Sequence, residues 1–239
     1  MLTSVPTKFA YKSLLLFSLA FFATRPAGRV PGAENAVAAD SSRFPLNGHA
    51  RVFVNNYIKE NNDVLDAIQR RSRSPFKLMD AIFIRYGLPK EMKYLAVIES
   101  ELKPTALSPV GARGPWQLMP GTAQLLGLTV NTDQDDRTQY YKSTVAAAKY
   151  LRDLHSEFGD WLLVVAAYNG GPAQVYRAMR KAGSRNFWDL QYFLPAESRL
   201  HVKKFIATQY YFEGQGSVTT LTRAECVAYA RTSSPSLAL

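Results

Sequence analysis

Two glutamates, Glu99 and Glu101, close the apolar run Tyr94-Leu95-Ala96-Val97-Ile98. A helix through that run is apolar on all sides and must be mostly buried. Glu99 extends the stripe of Met92, Leu95 and Ala96, whereas Glu101 extends that of Tyr94, Val97 and Ile98. Either carboxyl can therefore face the interior. Burial disfavours the charged form of a carboxyl group, and a neutral carboxylic acid is what a general acid must be near neutral pH. Periodicity does not choose between the two. A helix end emerging into solvent, with both glutamates on the surface, accounts for the same residues. The chain has one cysteine, Cys226, and three widely spaced histidines, His49, His155 and His201. No disulfide within the chain and no recognisable zinc spacing follows from these, so neither a metal nor a cofactor is expected.

The residues after Glu99 carry more. Glu99-Ser100 is followed by Ser108-Pro109-Val110-Gly111-Ala112-Arg113-Gly114-Pro115-Trp116-Gln117-Leu118-Met119-Pro120-Gly121-Thr122-Ala123, and later by Ala166-Ala167-Tyr168-Asn169-Gly170-Gly171. These ordered, correctly spaced strings resemble the lytic transglycosylases of the soluble-lytic-transglycosylase family, whose domain has a goose-type lysozyme-like fold. The likeness is to catalytic domains of the membrane-bound transglycosylase D kind and spans about residues 75–213.

The resemblance implies that Glu99 is the catalytic acid/base. It implies that Ser108, Gln117 and Met119 line the substrate cleft, that Tyr168 lies near the catalytic carboxyl with Asn169 beside it, and that Glu197 is a second acidic residue across the cleft. For Met119 and Tyr168, core packing is the competing reading. Gln117 is a polar side chain in an apolar stretch and needs a partner; a sugar amide or the Glu99 carboxyl would serve. Trp116 is expected to be structural rather than a sugar platform. Gly111 and Gly114 are expected to let backbone approach a sugar chain. Two segments depart from the family pattern. His201-Val202-Lys203-Lys204 stands where Tyr-Val-Pro-Lys is usual, and Asp135-Asp136-Arg137 replaces a commoner Glu-Arg-Arg-Asp-Pro run. His201 can reach the cleft or serve at the surface, and neither segment receives a function.

Most glycosidases use two carboxyl groups. The resembled family uses one. Protonated Glu99 would give its proton to the β-1,4 glycosidic oxygen between N-acetylmuramic acid and N-acetylglucosamine in peptidoglycan. The substrate's own acetamido oxygen would meet the charge at C1. Ionised Glu99 would then take the proton of the muramoyl 6-hydroxyl, which closes to a 1,6-anhydro end without water. The alternatives are a muramidase on the same fold, with Asp135, Asp136 or Glu197 serving a water, and a non-catalytic peptidoglycan-binding scaffold.

The elements that must position these residues are all helices. Ser74-Pro75 reads as an N-cap and first helical residue, with Met79, Ile82, Phe83 and Tyr86 on one face and Gly87 as the stop. Further helices follow Pro89 and Pro120. Others run from Ser143 to Phe158, from Trp161 after an Asp160 cap, from Pro172 to Lys181, and from Ala196 to Phe212. Alternating strand patterns are nearly absent. The fold class is therefore all-α, a lysozyme-like helical domain with a substrate cleft.

The 239 residues carry a formal charge of +10 and are 47% hydrophobic, enough for one packed core. The basic excess suits an anionic partner. No nucleic-acid motif accompanies it, so glycan strands are the expected partner, with peripheral contact to envelope lipid, and the chain is expected to be monomeric. Lys8 and Lys12 precede the apolar run from Leu14 to Ala23, a signal-peptide pattern that predicts export to the periplasm or cell envelope. The organisation expected is a leader over 1–38, a linker and helical extension over 39–73, a catalytic domain over 74–213 and a flexible tail over 214–239.

Overall fold

The computed structural model describes residue 44 and residues 46–233. The leader expected over 1–38 lies outside these. Among the described residues the structure is helical, with isolated bridges such as Leu107 with Arg113 and Arg113 with Leu118 in place of strands.

Helix α1 (Gly48–Arg85) is 38 residues long. Asn47 caps it, its side chain accepting from the His49 amide at 2.8 Å. Ala50, Val54, Leu65, Ile68, Ser72, Met79, Ile82 and Phe83 form its buried stripe. This corrects the expected helix start at Ser74-Pro75: Pro75 lies inside the helix. An internal proline removes one backbone donor and costs about 3 kcal/mol. The helix runs through because both of its halves pack along α8, and because Phe76, one residue on, joins Tyr94 and Phe212 in an aromatic cluster with centroid spacings of 5.2–5.7 Å.

A 3₁₀ turn over Lys90–Lys93 leads into the short helix α2 (Tyr94–Ser100), which ends in the left-handed region at Glu101. Then come α3 (Pro120–Leu125), α4 (Tyr140–Phe158), α5 (Trp161–Gly170), α6 (Pro172–Ala182), α7 (Phe187–Leu190) and α8 (Ala196–Glu213). The expected caps hold. Asp160 accepts from the amides of Leu162 and Leu163 at 2.9 and 3.3 Å, and Gly159 and Gly183 end α4 and α6 with φ of 63° and 62°.

Helix α5 is the centre of the molecule. Residues 161–169 are buried on every face, and α4, α6 and α8 pack around them. α8 in turn touches α1 and α2, so one helix joins the core to the elements around the site. Residues 214–233 are not the loose tail expected. Thr219, Thr220, Leu221 and Thr222 are buried, and helix α9 (Arg223–Ser233) follows. Its polar composition conceals a hydrogen-bonded turn, in which Thr219 donates to Gln209 at 2.7 Å and the Thr222 amide to Glu225 at 2.7 Å.

Candidate active site

The end of α2 settles what periodicity left open. The Glu99 side chain is 10% exposed and the Glu101 side chain 38%. Glu101 points to solvent cations, pairing with Lys103 at 2.8 Å and Arg71 at 3.5 Å. Glu99 opens instead into a groove of about 600 Å³. One wall is α1, through Tyr57, Asn61, Val64, Leu65 and Ile68. The opposite wall is α8, through Glu197, Leu200, His201 and Lys204. The loop 103–117 closes one end with Ser108, Pro109 and Gln117.

The backbone beside Glu99 is strained. Glu101, Leu102 and Gln117 have φ of 54°, 63° and 45°. Non-glycine residues pay about 1–2 kcal/mol each there, and persist only where the surroundings hold them. Here they do. The Glu101 and Leu102 amides donate back to Val97 and Ala96 at 2.8 and 3.3 Å. Arg71 donates to the Glu101 carbonyl at 2.9 Å, and the Tyr140 hydroxyl to that of Leu102. The chain can thus turn sharply one residue after Ser100, leaving Glu99 at the groove's edge.

The loop that follows is tied down from three directions. Ser100 Oγ donates to the Pro115 carbonyl at 2.8 Å, Tyr168 Oη to the Trp116 carbonyl at 2.7 Å, and Trp116 Nε1 to Thr144 at 2.9 Å. Trp116 is wholly buried, edge-on to Phe83 at 5.7 Å. Beneath the loop, Arg137 donates to the Gly111 and Leu118 carbonyls at 2.7 and 3.0 Å and is held by Asp135 at 2.7 Å. The neighbouring Arg137 guanidinium holds the Asp135 carboxyl below its ordinary range. Hydrogen bonds from Lys142 and Gln134 lower that of Asp136 to about 2. The Asp135-Asp136-Arg137 segment, left without a role by sequence, is this brace.

Two expected details change. Gly114 makes a close approach, but to the protein itself: with φ +82°, a Cβ there would lie 1.9 Å from the Arg137 carbonyl oxygen. The Gln117 amide finds its partners in the Gly114 and Ala106 carbonyls, at 2.9 and 3.2 Å, so it holds the loop's own shape.

Of the residues singled out from sequence, Glu99, Ser108, Gln117 and Glu197 meet in the groove. The other three lie outside its lining. Tyr168 is buried on α5, close enough to Glu99 that burial first, and that carboxylate second, raise its hydroxyl well above the usual range. Asn169 accepts from Ser198 Oγ at 2.8 Å and so pins α5 to α8. Met119, half-buried, precedes α3. Sequence reasoning missed Tyr57 and Asn61, whose helical spacing announces packing and nothing more, and Lys204. Burial lowers the Lys204 ammonium, while Glu197 and Glu99 act against that shift. His201 reaches inward: its Nε2 lies 3.1 Å from Glu99 Oε1, with side chains 8% and 10% exposed. Among the described residues, no group of three or more His, Cys, Asp or Glu is gathered as metal ligands would be.

Residues 83–191 match the family model described as Transglycosylase SLT domain. The chain is 32% identical over 169 residues to membrane-bound lytic murein transglycosylase D of Escherichia coli strain K12, covering 69% of this chain and 37% of that protein. It is 34% identical over 133 residues to membrane-bound lytic murein transglycosylase F of Klebsiella pneumoniae, covering 49% and 25%. The chain thus spans between a quarter and little more than a third of the length of these two relatives. Among solved structures, the 70 kDa soluble lytic transglycosylase of Escherichia coli superposes with a TM-score of 0.57 at 24% identity, covering 74% of this chain and 31% of that one. The same kind of protein in complex with bulgecin A gives 0.58 at 22%, with the same coverage. At these identities the likeness establishes the fold.

Proposed function

We propose that this chain, which carries an SLT-family transglycosylase domain over residues 83–191, is a lytic transglycosylase that cleaves the glycan strands of peptidoglycan and leaves a 1,6-anhydromuramoyl end. The observation that carries this reading is Glu99: a carboxyl group 10% exposed, at the end of a buried helix, facing a groove with polar groups on both walls.

The geometry supports one carboxyl group acting twice. Glu99 gives its proton to the glycosidic oxygen and later takes one from the muramoyl 6-hydroxyl. The braced loop suits both steps, because positioned groups spare the cost of ordering a substrate at the moment of reaction. Ser108, Asn61 and Tyr57 line the groove with hydroxyl and amide groups for a strand, while Gln117 holds the shape of the loop beside them. Tyr168 and Asn169 act from behind, holding the walls. The names of the relatives supply the substrate class. They also support a place in the cell envelope, to which a leader over 1–38 would direct the chain. No helix among the described residues is long and apolar enough to cross a membrane.

One observation favours a second reading, hydrolysis. A muramidase needs another carboxylate placed for a water. Asp135 and Asp136 are committed to Arg137 and Lys142, but Glu197 lines the same groove as Glu99. Mass spectrometry of the ends released from purified sacculi separates the two. The anhydro end is lighter by one water than a reducing end. Anhydro ends are expected, and reducing ends alone would replace this reading with the second.

A further inference from the structure

The buried His201 Nε2 has no aligned hydrogen-bond partner among the described residues, yet Glu99 Oε1 lies 3.1 Å away. Buried polar atoms in native proteins are nearly always bonded, and an exception calls for an explanation. Nothing in the packing of α8 asks for an imidazole here: the position faces α2 and the groove, and Val202, Phe205 and Ile206 supply the buried apolar contacts beside it. Phenol and imidazole can both bond a carboxyl group, but only imidazole also gains and loses a proton near neutral pH.

We infer that His201 is a positioning residue for Glu99, its Nε2 holding Oε1 on the α8 side so that Oε2 is the oxygen offered to the scissile bond, and that the ring's protonation adds a second proton step to the pH dependence of the reaction. The inference rests on the function proposed above. Protons balance simply. Oε2–H gives its proton to the glycosidic oxygen, Oε2 afterwards receives the proton of the 6-hydroxyl, and the Nε2 proton stays on the ring throughout. The other titratable groups around the pair are Tyr57 from α1, Glu101 and Lys103 after α2, Glu197 and Lys204 on α8, and buried Tyr168 on α5. Glu101 and Lys103 neutralise one another at 2.8 Å. Lys204 answers to both Glu197 and Glu99, and the direct side-chain contact is that of His201 with Glu99.

The test compares the full chain with His201→Ala and His201→Gln on solubilised glycan strands over a range of pH. His201→Ala is expected to lower kcat about ten- to a hundredfold, the scale of a misplaced reacting group, with KM held within about twofold. His201→Gln, which can still offer an N–H, is expected to restore part of kcat. Both variants are expected to lose one proton step from the profile of kcat/KM. An identical profile in all three proteins, or a rise in KM at constant kcat, overturns the inference. A second readout needs no turnover: the NMR signal of the His201 Nε2 proton in the native chain and in Glu99→Gln. The signal is expected to move when the carboxyl group beside it is replaced, and an unchanged signal overturns the inference. Absence of anhydro product from the native chain would instead count against the function itself.

Discussion

Helix α5 and the stretch from α2 to the end of the following loop lie side by side and obey opposite rules. In α5 everything agrees: an acidic N-cap, nine consecutive buried residues and a glycine end. Between Glu99 and Gln117 the rules are broken. A carboxyl group is nearly buried, three non-glycine residues sit at positive φ, and the imidazole nitrogen beside that carboxyl lacks an aligned partner among the described residues. Local conflicts of this kind cost stability and persist at functional sites because neighbouring structure over-determines them. Here the neighbours are identifiable. Tyr168 of α5, Ser100 of α2 and Arg137 beneath the loop supply the bonds that hold the strained stretch. The regular region is the scaffold, and the irregular one is the tool it grips.

That division can be broken from either side. The largest loss of stability should come from the scaffold. Leu163→Ala, at a wholly buried position of α5, should cost about 2–5 kcal/mol by cavity formation. The fraction still folded should keep its turnover number. Denaturant unfolding alongside kinetics checks both, and a fall in turnover without loss of stability would dissolve the distinction. A smaller effect should appear where the two regions join. Tyr168→Phe leaves the buried Trp116 carbonyl without its donor, at about 1–3 kcal/mol. Because that bond holds the loop carrying Gln117, the rate should fall severalfold as well. Stability loss with unaltered rate would mean that the loop keeps its shape without α5.

The scaffold was far more legible in the sequence than the site. Asp160, Gly159, Pro172 and Gly183 mark helix ends by backbone requirements that act locally, so α4, α5 and α6 could be drawn from the residues alone. Pro75 misled for the same reason. Its local preference is for a helix start, and only long-range packing along α8 carries α1 through it. Residues 216–222 read as a tail because serine, threonine and glycine signal no core, whereas here their hydroxyl groups bond one another. Glu99, Ser108, Gln117 and Glu197 were legible through their resemblance to a family. The α1 wall was not, because Tyr57 and Asn61 have the spacing of any packed helix. The contact of His201 with Glu99 joins residues 102 positions apart, and no local signal announces which face of α8 meets α2.

The most direct test is Glu99→Gln, made in the full chain and followed by thermal unfolding and by release of muropeptides from sacculi. An amide of the same shape should unfold within a few degrees of the native chain, since the carboxyl is held for chemistry rather than for stability. It should release no anhydro ends, having no proton to give. Release at the native rate, with the melting temperature unchanged, would contradict the account by removing Glu99 from the reaction.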